Sequence, residues 1–127
     1  MKTPGQKYWA KIKKVRKQAD KLWQVVVQEL HPRCEICGQP AIVGHHFILK
    51  ADSNYLRYAI KNGIGLCSHC HSLWHRNNAS EYAIRVERQR GNAWFDDIMM
   101  DKQKTTSTTL AWYEEKLSAL KKVKLNN

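Results

Sequence analysis

Cys34-Glu-Ile-Cys37 and Cys67-Ser-His-Cys70-His71-Ser-Leu-Trp-His75 decide how this 127-residue chain is read. They contain all four of its cysteines, and between them lie the pair His45-His46 and Asn62. A CxxC turn aims two thiolates at one point, about 2.3 Å from a zinc ion, and two such turns close a tetrahedron. The expected ligands are Cys34, Cys37, Cys67 and Cys70, holding a structural Zn2+ with no open position. The segment that carries them, Pro32 to Asn78, is under fifty residues. A unit that small usually needs a metal or disulfides to stay folded. The start, Met1-Lys-Thr-Pro-Gly, does not resemble a signal peptide, and no run of about 18 apolar residues exists. The expectation is a cytoplasmic protein with reduced thiols and no membrane contact, where paired CxxC knuckles read as zinc ligands.

The histidines imply a second site. His71 and His75 are four apart on an expected helix and share a face, so both can reach one ion. His45 and His46 are adjacent on an expected strand and point to opposite sides. Only one of the two is easily a ligand from the helix side; the other is free for proton chemistry. His46, with a near-neutral pKa, could deprotonate a water. An ion held by three protein ligands keeps an open side for a phosphate. The zinc clamps both ends of a 29-residue insert that holds His45, His46 and Asn62.

Outward from this unit the chain reads as helical. Tyr8, Ile12, Val15, Ala19, Leu22 and Val26 form a 3/4 seam widened by Trp9, Trp23 and Leu30, and His31-Pro32 ends the helix. A helix of about 25 residues exceeds what the zinc unit can cover. It is expected to pack on the C-terminal helix, on a second copy of itself, or on both. Pro40 to Ile48 reads as a short strand pair, Leu49 to Lys61 as a loop and Ile64-Gly65-Leu66 as a second strand. A helix is expected from Ser68 to about Arg76, then a break at Asn77-Asn78, with Ser80 capping Glu81 to Arg90 and Gly91 ending it. Trp94 to Met99 suggests one or two further turns, Lys102 to Thr109 a linker, and Leu110 to Val123 a last helix. The fold class is therefore α+β, a small ββα core flanked by long N- and C-terminal helices. The boundaries are 1–31 for the basic helix, 32–78 for the core and 79–127 for the helical extension.

The net charge is +11, and the first thirty residues hold eight Lys/Arg against two acidic residues. A basic arm beside a basic site suits a polyanion, since neutralised phosphates release counterions. Candidate phosphate contacts are Arg57, Arg76, Lys50, Lys13, Lys14 and Lys17. Tyr55, Tyr58 and Trp74 are candidates for stacking, although packing against the strands is favoured for Trp74.

At these spacings, His45-His46, Asn62, His71 and His75 resemble the HNH, or ββα-metal, endonuclease motif in its three-histidine form, and the CxxC pairs resemble its zinc-supported branch. The match spans Cys34 to His75. The resemblance implies His45, His71 and His75 as ligands of a catalytic divalent ion (Mg2+, Mn2+, Ni2+ or Zn2+) and His46 as general base. Asn62 would hold the base in register through backbone hydrogen bonds. DNA would be hydrolysed to 5′-phosphate and 3′-hydroxyl ends. A second resemblance, through Leu56-Arg57-Tyr58, Asn62, Tyr82 and Gly91-Asn-Ala-Trp94, is to phage recombination endonucleases of the NinG/Rap type, which act on branched DNA. His71 departs from that pattern, where an Asn stands. A homodimer through the terminal helices would suit such a substrate. Two further classes fit the sequence: a non-catalytic zinc module that binds DNA, and an accessory whose helices recruit a protein partner.

Overall fold

Thr3 starts the first helix. Its hydroxyl accepts the Gln6 N–H at 3.1 Å, and the Gln6 side chain accepts the Thr3 N–H at 2.8 Å. This reciprocal cap, with Pro4 in the first turn, satisfies donors that a helix start leaves free. In the computed structural model, which describes residues 1–126, helix α1 runs Pro4–Leu30 and gives way to His31 before Pro32. Helix α5, Leu110–Leu125, begins under the Thr109 hydroxyl, which accepts the Trp112 N–H at 3.1 Å. Ile12, Ala19, Trp23 and Val27 of α1 share one core cluster with Tyr113, Leu117 and Leu120 of α5. The C-terminal helix thus covers the apolar stripe of α1. Of the expected stripe Ile12, Ala19, Trp23 and Val26 are buried and Val27 joins them, while Tyr8 and Leu30 at its ends remain 47% and 41% exposed.

Strands β1 (Val43–His46) and β2 (Gly63–Leu66) pair antiparallel, Val43 opposite Leu66 and His46 opposite Gly63. Pro40 to Ile48 therefore contains one strand, Val43–His46, and not a strand pair. Pro40 makes only an isolated bridge to Arg33, because its partner region folds back as the first CxxC knuckle. Glycines bring the sheet against α1. A Cβ on Gly63 would run into Val27, and one on Gly65 would meet the His31 carbonyl oxygen well inside contact distance. Only the bare backbone lets the strands lie this close to the helix.

Helix α2, Ser68–Leu73, continues through a wider π turn, Trp74–Asn78, directly into α3, Ala79–Arg90. The expected break at Asn77-Asn78 does not occur, and Ser80 does not cap. Trp74 and Tyr82, eight apart, would diverge by about 80° on a uniform helix. The π turn takes up that offset, so both pack with Ile64, Leu66 and Val86 in one cluster. Gly91, at φ +95°, turns the chain into α4, Asn92–Lys102, longer than the one or two turns expected. The fold is α+β: mostly helical, with a small two-stranded sheet and long helices at both ends. No helix among the described residues is long and apolar enough to cross a membrane.

Candidate metal centres and the histidine cleft

The first knuckle is built by backbone: Cys34 N–H donates to the Gln39 carbonyl at 2.7 Å and Gly38 N–H to the Cys34 carbonyl at 2.9 Å, with Gly38 at φ +80°. The second begins α2, where Cys70 N–H donates to Cys67 Sγ at 3.4 Å. The four sulfurs lie within 4.8 Å of one another, Cys37 and Cys67 at 3.6 Å, and none is in a disulfide. Four thiolates bound at 2.3 Å in a tetrahedron would be about 3.8 Å apart. The cluster thus has the dimensions to hold a structural ion such as zinc. Without an ion, backbone donors from Cys37, Cys67 and Ile36 outweigh burial and bring the Cys34 thiol down to about 7. Burial and the neighbouring sulfurs push Cys70 up. One shared cation would relieve this conflict among four crowded thiols.

The second cluster comprises His45, His71 and His75, whose candidate donor nitrogens also lie within 4.8 Å of one another. The His71 and His75 Nε2 atoms are 3.0 Å apart, on successive turns of the α2 segment. Two imidazole nitrogens bound at about 2.1 Å and at right angles to each other would have that separation. His45, only 4% exposed, packs its ring on Trp74 at 4.7 Å between centroids. Its Nε2 is enclosed and has no hydrogen-bond partner among the described residues. A buried polar atom rarely stays unpaired, and here two further imidazole rings, His71 and His75, lie with centroids 5.3 and 5.2 Å away. Burial, reinforced by His71 and His75, pulls His45 down to about 3, so the ring is neutral at pH 7 and keeps one nitrogen with a free lone pair. Three imidazoles converging from a strand and a helix suit a divalent transition ion.

His46 points to the other side of β1, as alternation requires. It stacks on Trp23 of α1 with centroids 3.8 Å apart and planes 9° from parallel. Its Nε2 lies 2.8 Å from the Arg57 carbonyl oxygen, which can only accept, so Nε2 carries the proton and Nδ1 the lone pair. Nδ1 is not among the enclosed unpaired atoms and has no hydrogen-bond partner among the described residues. Burial lowers His46 to about 4, and Lys50 and Arg57 add to this against the opposing Arg57 carbonyl. It is therefore neutral at pH 7, well below the near-neutral value expected from sequence. Both His45 and His46 line a cleft of about 360 Å³ with Gln24, Lys50, His71 and His75.

Asn62 does not face this cleft. It is fully buried, and its amide accepts the Ile48 N–H at 2.8 Å and donates to the Ile48 and Leu56 carbonyls at 2.9 and 3.3 Å. It thereby closes the 48–62 loop, which carries the Arg57 carbonyl to His46. Arg57 itself forms a two-point ion pair with Asp20, at 3.0 and 2.7 Å, so its guanidinium is not free. Lys50 and Lys21 line the wall beside His46. Lys13, Lys14, Lys17 and Arg76 are exposed. Tyr58 is 5% exposed, packed against Trp112 and Tyr113, and cannot stack on a base. Trp74 is buried behind His45, as packing favoured.

Sequence reasoning missed Arg90. It pairs with Glu35 of the first knuckle and donates to the Gly63 and Lys61 carbonyls at 2.8 and 3.2 Å, tying the end of α3 to the thiol cluster and to β2. Gln24, whose role is local to β1, was missed too. Both contacts join segments far apart in the chain, and no spacing rule could have indicated them. Comparison with protein-family models, with curated proteins and with solved structures gives no match to this chain.

Proposed function

We propose that this protein is a metal-dependent endonuclease of the HNH type that hydrolyses DNA phosphodiester bonds. The observation that carries the reading is the division of labour across β1. His45 joins His71 and His75 in a three-imidazole cluster. His46, the next residue, is fixed in the tautomer that leaves Nδ1 basic. A ligand set beside an oriented, neutral base is what metal-assisted hydrolysis requires. His45, His71 and His75 would hold the divalent ion, which would supply Lewis-acid stabilisation of the charge on the phosphate and the leaving oxygen.

His46 Nδ1 takes a proton from water as the water oxygen bonds to phosphorus. The bond from phosphorus to the 3′ oxygen breaks, leaving a 5′-phosphate, and the released oxygen takes a proton from solvent. The Arg57 carbonyl stabilises the imidazolium that forms, because it already receives the Nε2 proton. Lys50 and Lys21 supply positive charge beside the base, and the exposed lysines of α1, Lys13, Lys14 and Lys17, extend that charge along the flanking phosphates. Asn62 supports the loop and not the chemistry. The Cys34, Cys37, Cys67 and Cys70 site maintains the frame.

The branched-DNA reading names a substrate for the same chemistry. A homodimer built on the seam of α1 would compete with α5, which covers that seam within one chain. The test is nicking of supercoiled plasmid in EDTA and in Mg2+, Mn2+, Ni2+ and Zn2+, by the wild type and by His71→Ala/His75→Ala. Cleavage that needs an added ion and is lost in the double variant supports the reading. Cleavage in EDTA, or equal cleavage by the variant, refutes it. No cleavage with any ion, together with intact DNA binding, favours the zinc-stabilised binding module.

A further inference from the structure

We propose that Gln24, on α1 and outside the unit that carries the histidines, is a positioning residue for His46 that acts through the backbone of Gly44. The inference rests on the hydrolytic reading above. The Gln24 amide meets both polar groups of Gly44: Gly44 N–H donates to Oε1 at 2.7 Å, and Nε2 donates to the Gly44 carbonyl at 2.6 Å. One side chain thus acts as a single residue of a third strand and fixes β1 two residues before the base. The fit is closed, since a Cβ on Gly44 would lie 3.1 Å from Gln24 Oε1 and 3.1 Å from Val27 Cβ.

The neighbouring residues of α1 act on the same target. Trp23 stacks on the His46 ring, and its Nε1–H donates to the Ala59 carbonyl at 3.1 Å. Asp20 holds Arg57, whose carbonyl receives the His46 Nε2 proton. Residues 20, 23 and 24 lie at i, i+3 and i+4, one patch of helix surface. From this patch His46 is held by its ring face, by the acceptor on Nε2 and by its own strand. Trp23 also belongs to the core, so its removal would mix positioning with folding. Gln24 is half-buried and outside the apolar clusters, so it isolates the effect.

The experiment uses zinc-loaded full-length protein and compares the wild type, Gln24→Ala and Gln24→Glu, which keeps the acceptor for Gly44 N–H and loses the donor. Long-range ¹⁵N–¹H NMR of the histidine rings reads the His46 tautomer without catalysis. Single-turnover nicking at saturating DNA reads the rate. The expected results are a pure Nε2–H tautomer in the wild type, a mixture in Gln24→Ala and an intermediate state in Gln24→Glu. The maximal rate should fall between about ten- and a hundredfold in Gln24→Ala with DNA affinity unchanged. An unchanged tautomer and rate in a folded Gln24→Ala would overturn the inference. If Gln24→Ala fails to fold, Gln24→Glu decides by the same two readings. An inactive wild type whose tautomer still depends on Gln24 would refute the nuclease reading and leave the positioning role standing.

Discussion

Replacing Asn62 by Ala removes the residue that holds the 48–62 loop closed, and the loss can be worked out bond by bond. Two backbone groups lose their partner, the Ile48 N–H at 2.8 Å and the Ile48 carbonyl at 2.9 Å, while the Leu56 carbonyl loses a donor at 3.3 Å and keeps the Ala59 N–H at 3.2 Å. Leu56 is fully buried and Ile48 nearly so, and water cannot readily replace the amide. Each unpaired buried group costs about 1–3 kcal/mol, and the two at Ile48 give about 2–5 kcal/mol in all. That is a large share of the roughly 5–15 kcal/mol by which a domain is stable. In urea, with a slope of about 2 kcal/mol per molar, the midpoint should fall by about 2 M at unchanged slope. Hydrogen exchange of the zinc-loaded protein should show the Ile48 amide among those most accelerated. Asn62→Asp keeps the acceptor for Ile48 N–H but turns oxygen toward two carbonyls, so it should be no better than Ala. A midpoint shift under about 0.5 M, with Ile48 still protected, would show that other contacts hold the loop and would refute this reasoning.

Other perturbations separate the parts. Stripping the thiol cluster of zinc should abolish the environment of Trp74 and Trp94 in near-ultraviolet circular dichroism while α1 and α5 keep most of the far-ultraviolet helix signal, because the two helices share their own core. Gly65→Ala should lower the melting temperature more than Gly38→Ala. The first drives a Cβ into the His31 backbone, a clash typically worth about 1–3 kcal/mol or more, whereas the second has open space and only an unfavourable φ of +80°. His31 is held below its ordinary 6.5 by burial and then by the Arg90 charge, against an opposing effect of Glu35. Its contribution is therefore fully present above pH 6.5 and is lost as pH falls from there toward its folded value. Denaturation midpoints of His31→Gln should show a shallower acid decline than the wild type over that window.

The thiol and histidine clusters were legible because each is built from locally spaced pairs. CxxC imposes its own turn, and positions 71 and 75 share a helix face whatever the rest of the chain does. The strand at Ile64 to Leu66, the helical ends and the α1 seam were legible in outline from periodicity, whereas the antiparallel pairing of β1 with β2 was not. What failed was local chemistry outvoted by packing. Asn77-Asn78-Ala-Ser80 reads as a helix stop and restart, yet Trp74 and Tyr82 bury on one side and keep the helix continuous. The pKa of His46 was misjudged because its stacking on Trp23 joins residues 23 positions apart in sequence. Separation in sequence likewise hid Gln24 on Gly44, at 20 residues, and Arg90 on Glu35, at 55. Glycines 44, 63 and 65 gave no strand signal of their own; they are fixed by the approach of α1, a tertiary requirement.

The most direct measurement of the central claim is single-turnover cleavage of labelled plasmid by the wild type and His46→Ala, each shown to hold its zinc and tested in the most effective divalent ion. Loss of the general base should slow cleavage by about 10²–10⁴-fold with DNA affinity intact, and wild-type products should carry 5′-phosphate ends. Cleavage by His46→Ala at the wild-type rate would contradict the account, because the oriented imidazole on β1 would then take no part in the chemistry.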